Sequence, residues 1–135
     1  ALDRAIDLVV NSESCKAVRL PISIAAHSPL MSYISDEYNN AVHSIVFSRP
    51  NTKIVGNVSV THINTPDEIK KELGNQLTAP VRWRETIEYL LGKGVTNFVE
   101  IGTGKVLTGL LRRIDRKASG HVIDDNNAIS QIVSA

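Results

Sequence analysis

The stretch NFVEIGTGKVLTGLLRRI, residues 97–114, decides the fold. NFVEI (97–101) reads as a short strand rich in β-forming side chains. Gly102-Thr103-Gly104 then turns the chain, and Val106, Leu107, Leu110, Leu111 and Ile114 recur at helical spacing. A strand that passes through a glycine turn into an amphipathic helix is the repeating unit of an α/β protein. Upstream, Pro80 opens a helix with Trp83, Ile87, Leu90 and Leu91 on one face, stopped by Gly92 and Gly94. Thr65-Pro66-Asp67-Glu68 carries a capping-box pattern, with a helix through Ile69 and Leu73 behind it. KIVGNVSV (53–60) reads as a strand. Ser28 is an N-cap and Pro29 a first helical residue for a helix with the stripe Leu30, Ile34, Tyr38, Ala41/Val42 and Ile45, ending near residues 44–47. AVRLPISI (17–24) reads as another strand, with Pro21 marking an edge or irregular stretch. Leu2, Ile6, Val9 and Val10 place a helix at the start, broken by polar residues 11–14. A short strand is expected near residues 121–123 and a last helix from Asn127. Helices alternate with strands, so the expectation is an α/β fold with a largely parallel sheet and right-handed crossovers.

The 135 residues leave room for one domain with one hydrophobic core. Hydrophobic residues are 42% and charged residues 21%, which excludes wholesale disorder. Fifteen basic and 14 acidic residues sum to +1, so no net field draws the chain to nucleic acid or an acidic membrane. Aromatics are 4% and scattered, which argues against a base-stacking platform. Cys15 stands alone, so no internal disulfide and no multi-thiolate zinc site can form. No apolar run approaches the roughly 20 residues of a membrane span, and no signal peptide opens the chain. A reducing, cytoplasmic setting is expected. The chain begins at Ala1, within the first helix and without a capping residue, so a piece of a longer protein is also expected.

Of the histidines at 27, 43, 62 and 121, only His27 lies between an apolar strand and a capped helix. In open α/β sheets the crevice past the strand carboxyl ends is where ligands bind, and histidine there exchanges a proton near neutral pH. The competing reading is a histidine that fills a turn. His43 falls in a helix, and His62 and His121 in polar loops, where ordinary structural roles are expected. No histidine pair has ligand spacing, so neither a metal nor a cofactor site is expected. Gly102-Thr103-Gly104-Lys105 has the context of a phosphate loop but neither the GxxxxGK[ST] nor the GxGxxG pattern, and a tight turn explains it as well. Glu100 either binds something or caps that turn. Arg112, Arg113, Arg116 and Lys117 suit the negative end of a helix dipole, or the docking of an acidic partner. Cys15 has no catalytic context, and no G-x-S-x-G nucleophile elbow occurs.

Three segments in order, PISIAAHSPLM (21–31), QLTAPVRWRETIEYLLGKGV (76–95) and FVEIGTGKVLTGLLRRI (98–114), resemble the C-terminal half of the malonyl-CoA:acyl-carrier-protein transacylases. The resemblance runs from about Ala1 to Ile114. It implies an α/β-hydrolase-like large subdomain with an inserted ferredoxin-like small one. Residues 1–22 would be the last helix and strand of the small subdomain, and 23–135 part of the large one. The family's reaction is ping-pong transfer of malonyl from malonyl-CoA, through an acyl-serine, to the phosphopantetheine thiol of acyl carrier protein. By its place before Ser-Pro-Leu-Met, His27 matches the family's general base. By the QLT-P-V-W motif, Gln76 matches the residue whose backbone carbonyl orients that imidazole. The serine elbow, the oxyanion-hole glutamine and the carboxylate-binding arginine would lie upstream of this chain. Acyl carrier protein and malonyl-CoA are the implied partner and substrate, with no nucleic acid or membrane. Two departures are visible. Thr103 stands where the family commonly has proline, and Ala26 before the histidine is not diagnostic of malonyl against methylmalonyl. The alternative is a non-catalytic module that binds acyl carrier protein or a phosphate-bearing ligand through Gly102 to Lys105 and the basic helix end.

Overall fold

The structure is a computed structural model that describes residues 2–13 and 16–124. Cys15 and the helix expected from Asn127 lie outside the described residues. The elements in chain order are α1 (Leu2–Glu13), a 3₁₀ helix (Pro29–Ile34), α2 (Ser35–Ser44), β1 (Ile54–Val55), β2 (His62–Ile63), α3 (Pro66–Gln76), α4 (Trp83–Gly92), β3 (Asn97–Ile101), α5 (Val106–Ile114) and β4 (Ser119–Ile123).

The stretch that decided the fold forms as read. β3 spans Asn97–Ile101 and pairs in parallel with β4, from Asn97 opposite Ser119 to Ile101 opposite Ile123. Helix α5 is the crossover between them. It lies close on β4 because Gly120 has no side chain. A Cβ there would stand 2.8 Å from Thr108 Cγ2 and 3.1 Å from Leu111 Cδ2, nearer than such atoms pack. Helix α4 packs against α5, and Ile87 and Leu111, each 2% exposed, form the centre of this half. On the other half β1 and β2 make an antiparallel hairpin, α2 packs on α3, and Met31, Val42 and Ile63 are buried. The expected sheet is therefore one parallel pair and one antiparallel pair, because a turn rather than a helix joins β1 to β2.

Capping chemistry explains why α3 starts where it does. Thr65 Oγ1 accepts from the Glu68 backbone N–H at 3.2 Å, and Glu68 Oε2 accepts from the N–H groups of Thr65 at 3.1 Å and Asn64 at 2.6 Å. Ser28 caps the helix after it, its Oγ accepting from Leu30 N at 3.3 Å. The first turns there are 3₁₀, and the α-helical geometry begins at Ser35.

Five expectations need correction. Helix α1 continues through the polar residues 11–13 instead of breaking at 11, since the helix propensities of Asn, Ser and Glu fall only a few tenths of a kcal/mol to about 0.7 kcal/mol short of alanine. Residues 17–24 form no strand. Pro21 offers no N–H, and no described segment pairs with this one. Val18, Leu20, Ile22 and Ile24 stand 57–69% exposed there. The strand expected over 53–60 shrinks to Ile54–Val55. Beyond Gly56 the backbone turns to give its N–H groups to Glu72, and Val60 takes a positive φ of 56°. Helix α4 begins at Trp83 rather than Pro80, because Arg82, its N-cap, stands at φ −90° and ψ 55°, outside the helical region, with its N–H on Asn57 O at 2.8 Å. His62 and His121 sit on β2 and β4, not in loops, because each is paired to a neighbouring strand, Val55 opposite His62 and Val99 opposite His121.

Candidate functional site

His27 occupies the turn just before the Ser28 cap, with a left-handed backbone, φ 61°. Such a conformation in a residue bearing a Cβ costs about 1 kcal/mol or more and persists only where its surroundings hold it. The holding groups are clear. The His27 backbone N–H donates to Leu77 O at 3.0 Å, and its ring Nδ1 lies 2.7 Å from Gln76 O. Ser28 Oγ also donates back to Ala25 O at 2.8 Å, which tightens the same turn.

Gln76 is the last residue of α3. The final carbonyls of a helix have no partner within it, so this one is free to accept from a side chain. A carbonyl oxygen only accepts, so Nδ1 carries a proton, and in the neutral ring Nε2 carries the lone pair. The imidazole is exposed, with Nε2 as its available base. The sequence pairing of His27 with Gln76, 49 residues apart, is thus met in space, through the Gln76 main chain.

The other candidates separate from this site. Glu100 caps α5. Its carboxylate accepts from Leu107 N at 3.0 Å, Thr108 N at 2.8 Å and Thr108 Oγ1 at 2.7 Å. Donation from the Thr108 N–H leads in holding this carboxyl below its ordinary value of 4.5. Glu100 thus fills the N-terminal N–H groups of α5 at Leu107 and Thr108, and the Gly102 N–H is taken by Ile123 O at 3.0 Å, which fits a capped strand-to-helix turn. Because the folded value is lowered, the cap's stabilisation is present above pH 4.5 and is lost as pH falls through the folded value. Glu100→Gln is accordingly expected to unfold at lower urea than the parent at pH 7. The gap should narrow as pH falls below 4.5 and through the folded value in parallel titrations.

Arg112 and Arg113 lie in the last turn of α5, where a helix dipole favours cations. His43 Nδ1 donates to Asn39 O at 2.7 Å, one turn back on its own helix. His62 sets its ring edge toward Tyr89 at 5.8 Å, and His121 Nε2 meets Ser119 Oγ at 2.9 Å. Among the described residues no three His, Cys, Asp or Glu side chains are grouped to hold a metal ion. No described helix is long and apolar enough to cross a membrane.

One residue was missed from the sequence. Glu72 of α3 is 8% exposed, with Oε1 accepting from Val58 N at 2.7 Å and Oε2 from Ser59 N at 3.2 Å. Burial pushes its carboxyl up, but donation from Val58, Ser59 and Asn57 outweighs burial and holds it below the ordinary range. Nothing in KKELG distinguishes Glu72 from a solvated helix charge.

The alternation of strand, crossover helix and strand, with a carbonyl-held histidine at a turn, defines an α/β architecture with an exposed histidine whose Nδ1 is held by a main-chain carbonyl. Known proteins narrow this further. The chain is 32% identical over 130 residues to the malonyl CoA-acyl carrier protein transacylase of Escherichia coli (strain K12), a match that covers 96% of this chain and 42% of the relative. The corresponding protein of Bacillus subtilis (strain 168) is 30% identical over 95% of the chain and 40% of its own length. Among solved structures, a malonyl-transacylase in complex with the holo acyl-carrier protein of a type II polyketide synthase superposes with a TM-score of 0.91. It is 32% identical, over 98% of this chain and 43% of that one. No protein-family model matches the sequence. Over nearly its whole length the chain is a homologue of the malonyl-CoA:acyl-carrier-protein transacylases, which are acyltransferases, and it spans about two-fifths of their length.

Proposed function

We propose that this chain is the His-bearing part of a malonyl-CoA:acyl-carrier-protein transacylase, with His27 as its general base. The observation that carries this reading is the 2.7 Å contact of Nδ1 with Gln76 O, which makes Nδ1 the donor and leaves Nε2 of the neutral ring with the lone pair. A serine hydroxyl is a weak nucleophile until a base takes its proton. In the forward half-reaction Nε2 takes the proton of a serine outside this chain as its oxygen attacks the malonyl thioester. The imidazolium returns that proton to the departing CoA thiolate. In the second half-reaction the same nitrogen takes the phosphopantetheine thiol proton of acyl carrier protein as sulfur attacks the ester, and it returns that proton to the departing serine oxygen as the malonyl group passes to sulfur. The Gln76 carbonyl holds the tautomer and stabilises the transient imidazolium, a task an aspartate performs elsewhere. The product serves fatty-acid or polyketide synthesis, as the relatives' names support. In the same reading residues 1–22 belong to a ferredoxin-like subdomain, with Arg19 paired to Asp3 at 3.0 Å across them. Residues 23–135 belong to the large subdomain.

The test is the intact mass of the natively produced protein before and after malonyl-CoA. A species heavier than 14.7 kDa that gains one malonyl group, slowly when His27 is alanine, is the expected result. A 14.7 kDa species with no adduct would favour the non-catalytic binding module.

A further inference from the structure

The segment that holds His27 is itself held from both sides by a single turn. Gln76 and Leu77, whose carbonyls take the His27 ring and backbone N–H, lie between Glu72, one helical turn before, and Arg82, at the start of α4. Glu72 grips residues 58 and 59 through two backbone N–H groups. Arg82 grips the same turn from the other side, its N–H on Asn57 O at 2.8 Å and its Nη1 on Val58 O at 3.3 Å. Arg82 is in turn fixed by a two-point pairing with Glu85. The turn fits only because residue 56 is glycine. A Cβ there would lie 2.5 Å from both the Glu72 carboxylate and Ser59 Oγ. Bonds to an ionised acceptor are among the stronger ones available, and both carboxylate oxygens point into this turn.

We infer that Glu72 and Arg82 are positioning residues. By clamping the 56–59 turn from either side, they fix the end of α3 so that the Gln76 carbonyl stays on His27 Nδ1. Neither side chain touches His27, so their action passes through the backbone of residues 72–82. The inference rests on the reading of His27 as the base. A carbonyl that drifts by an ångström loses the hydrogen bond, frees the ring to turn and lets the second tautomer form. Geometric errors of that size cost roughly 10- to 100-fold in rate.

The experiment uses the complete protein and two readouts: malonyl transfer from malonyl-CoA to acyl carrier protein, and the ¹⁵N spectrum of the His27 ring. Glu72→Ala is expected to lower kcat roughly 10- to 100-fold, to leave KM for malonyl-CoA unchanged, and to convert His27 from the single Nδ1–H tautomer to a mixture. Glu72→Gln, which keeps the shape and one acceptor oxygen, is expected to recover most of the rate and the single tautomer. Arg82→Ala alters a half-exposed side chain, and it is expected to give the same two changes if Glu72→Ala does not fold. Folded Glu72→Ala or Arg82→Ala protein with parental kcat and an unmixed tautomer overturns the inference. His27→Ala with full activity overturns the base reading instead, and the ¹⁵N spectra of the Glu72 and Arg82 variants, which keep the His27 ring, still report on the clamp.

Discussion

Replacement of His27 by alanine in the complete protein is expected to lower malonyl transfer by roughly 10² to 10⁴-fold, the range for a lost acid–base group. The reason is the division of labour in the ring. Nδ1 is committed to Gln76 O at 2.7 Å, so one nitrogen, Nε2, must take a proton in each half-reaction and give it back. Without it the serine and the phosphopantetheine thiol each have to lose their protons to water. Substrate binding draws little on this nitrogen, so the loss should fall on kcat with KM for malonyl-CoA nearly constant. Both half-reactions should slow, which single-turnover acylation and deacylation rates can separate. Activity within a few-fold of the parent would sink the assignment. His43→Ala is the matched control, because that ring is bonded to Asn39 O on its own helix and should leave the rate unchanged.

Leu111→Ala is expected to destabilise the protein by about 2–5 kcal/mol, the range for a large core residue cut to alanine. Leu111 is 2% exposed and fills the space between α5 and the bare backbone at Gly120 on β4. It also lines a small apolar cavity with Trp83, Ile87, Phe98 and Leu107. Removal of three carbons there enlarges a void that already exists, and the surrounding helix and strands cannot close on it without breaking the β3–β4 pairing. Urea unfolding of the complete protein should show the drop at an unchanged slope. A loss below about 1 kcal/mol would mean that α5 is not anchored through this side chain.

Local rules read well where they close within a few residues. The capping box at Thr65 and Glu68, the cap at Ser28 and the apolar stripe of the helix after residues 97–101 all depend on neighbours no more than a turn away. Glu100 shows the limit. Its two readings, ligand group or cap, were equal in sequence, and three hydrogen bonds to Leu107 and Thr108 decide for the cap. The strand expected at 17–24 fails for the complementary reason. Its β-branched composition fits an extended chain, but a strand is defined by its neighbour, and no described residue supplies one. The strand expected at 53–60 gave way because Glu72, more than a dozen residues on, competes for its N–H groups.

His27 and Gln76 were legible only through their resemblance to a known pattern, since a histidine before a cap looks alike whether it fills a turn or carries a proton. Residue order by itself determined the alternation of strand and helix, the caps, the glycine stops and the apolar faces, because each follows from backbone geometry and burial over one or two turns. The tertiary structure alone decided that the Gln76 carbonyl meets Nδ1, that His27 takes a left-handed backbone, and that Glu72 and Arg82 close on one turn. Those depend on where a helix ends in space relative to a loop 49 residues away, a distance that packing sets and local propensity does not.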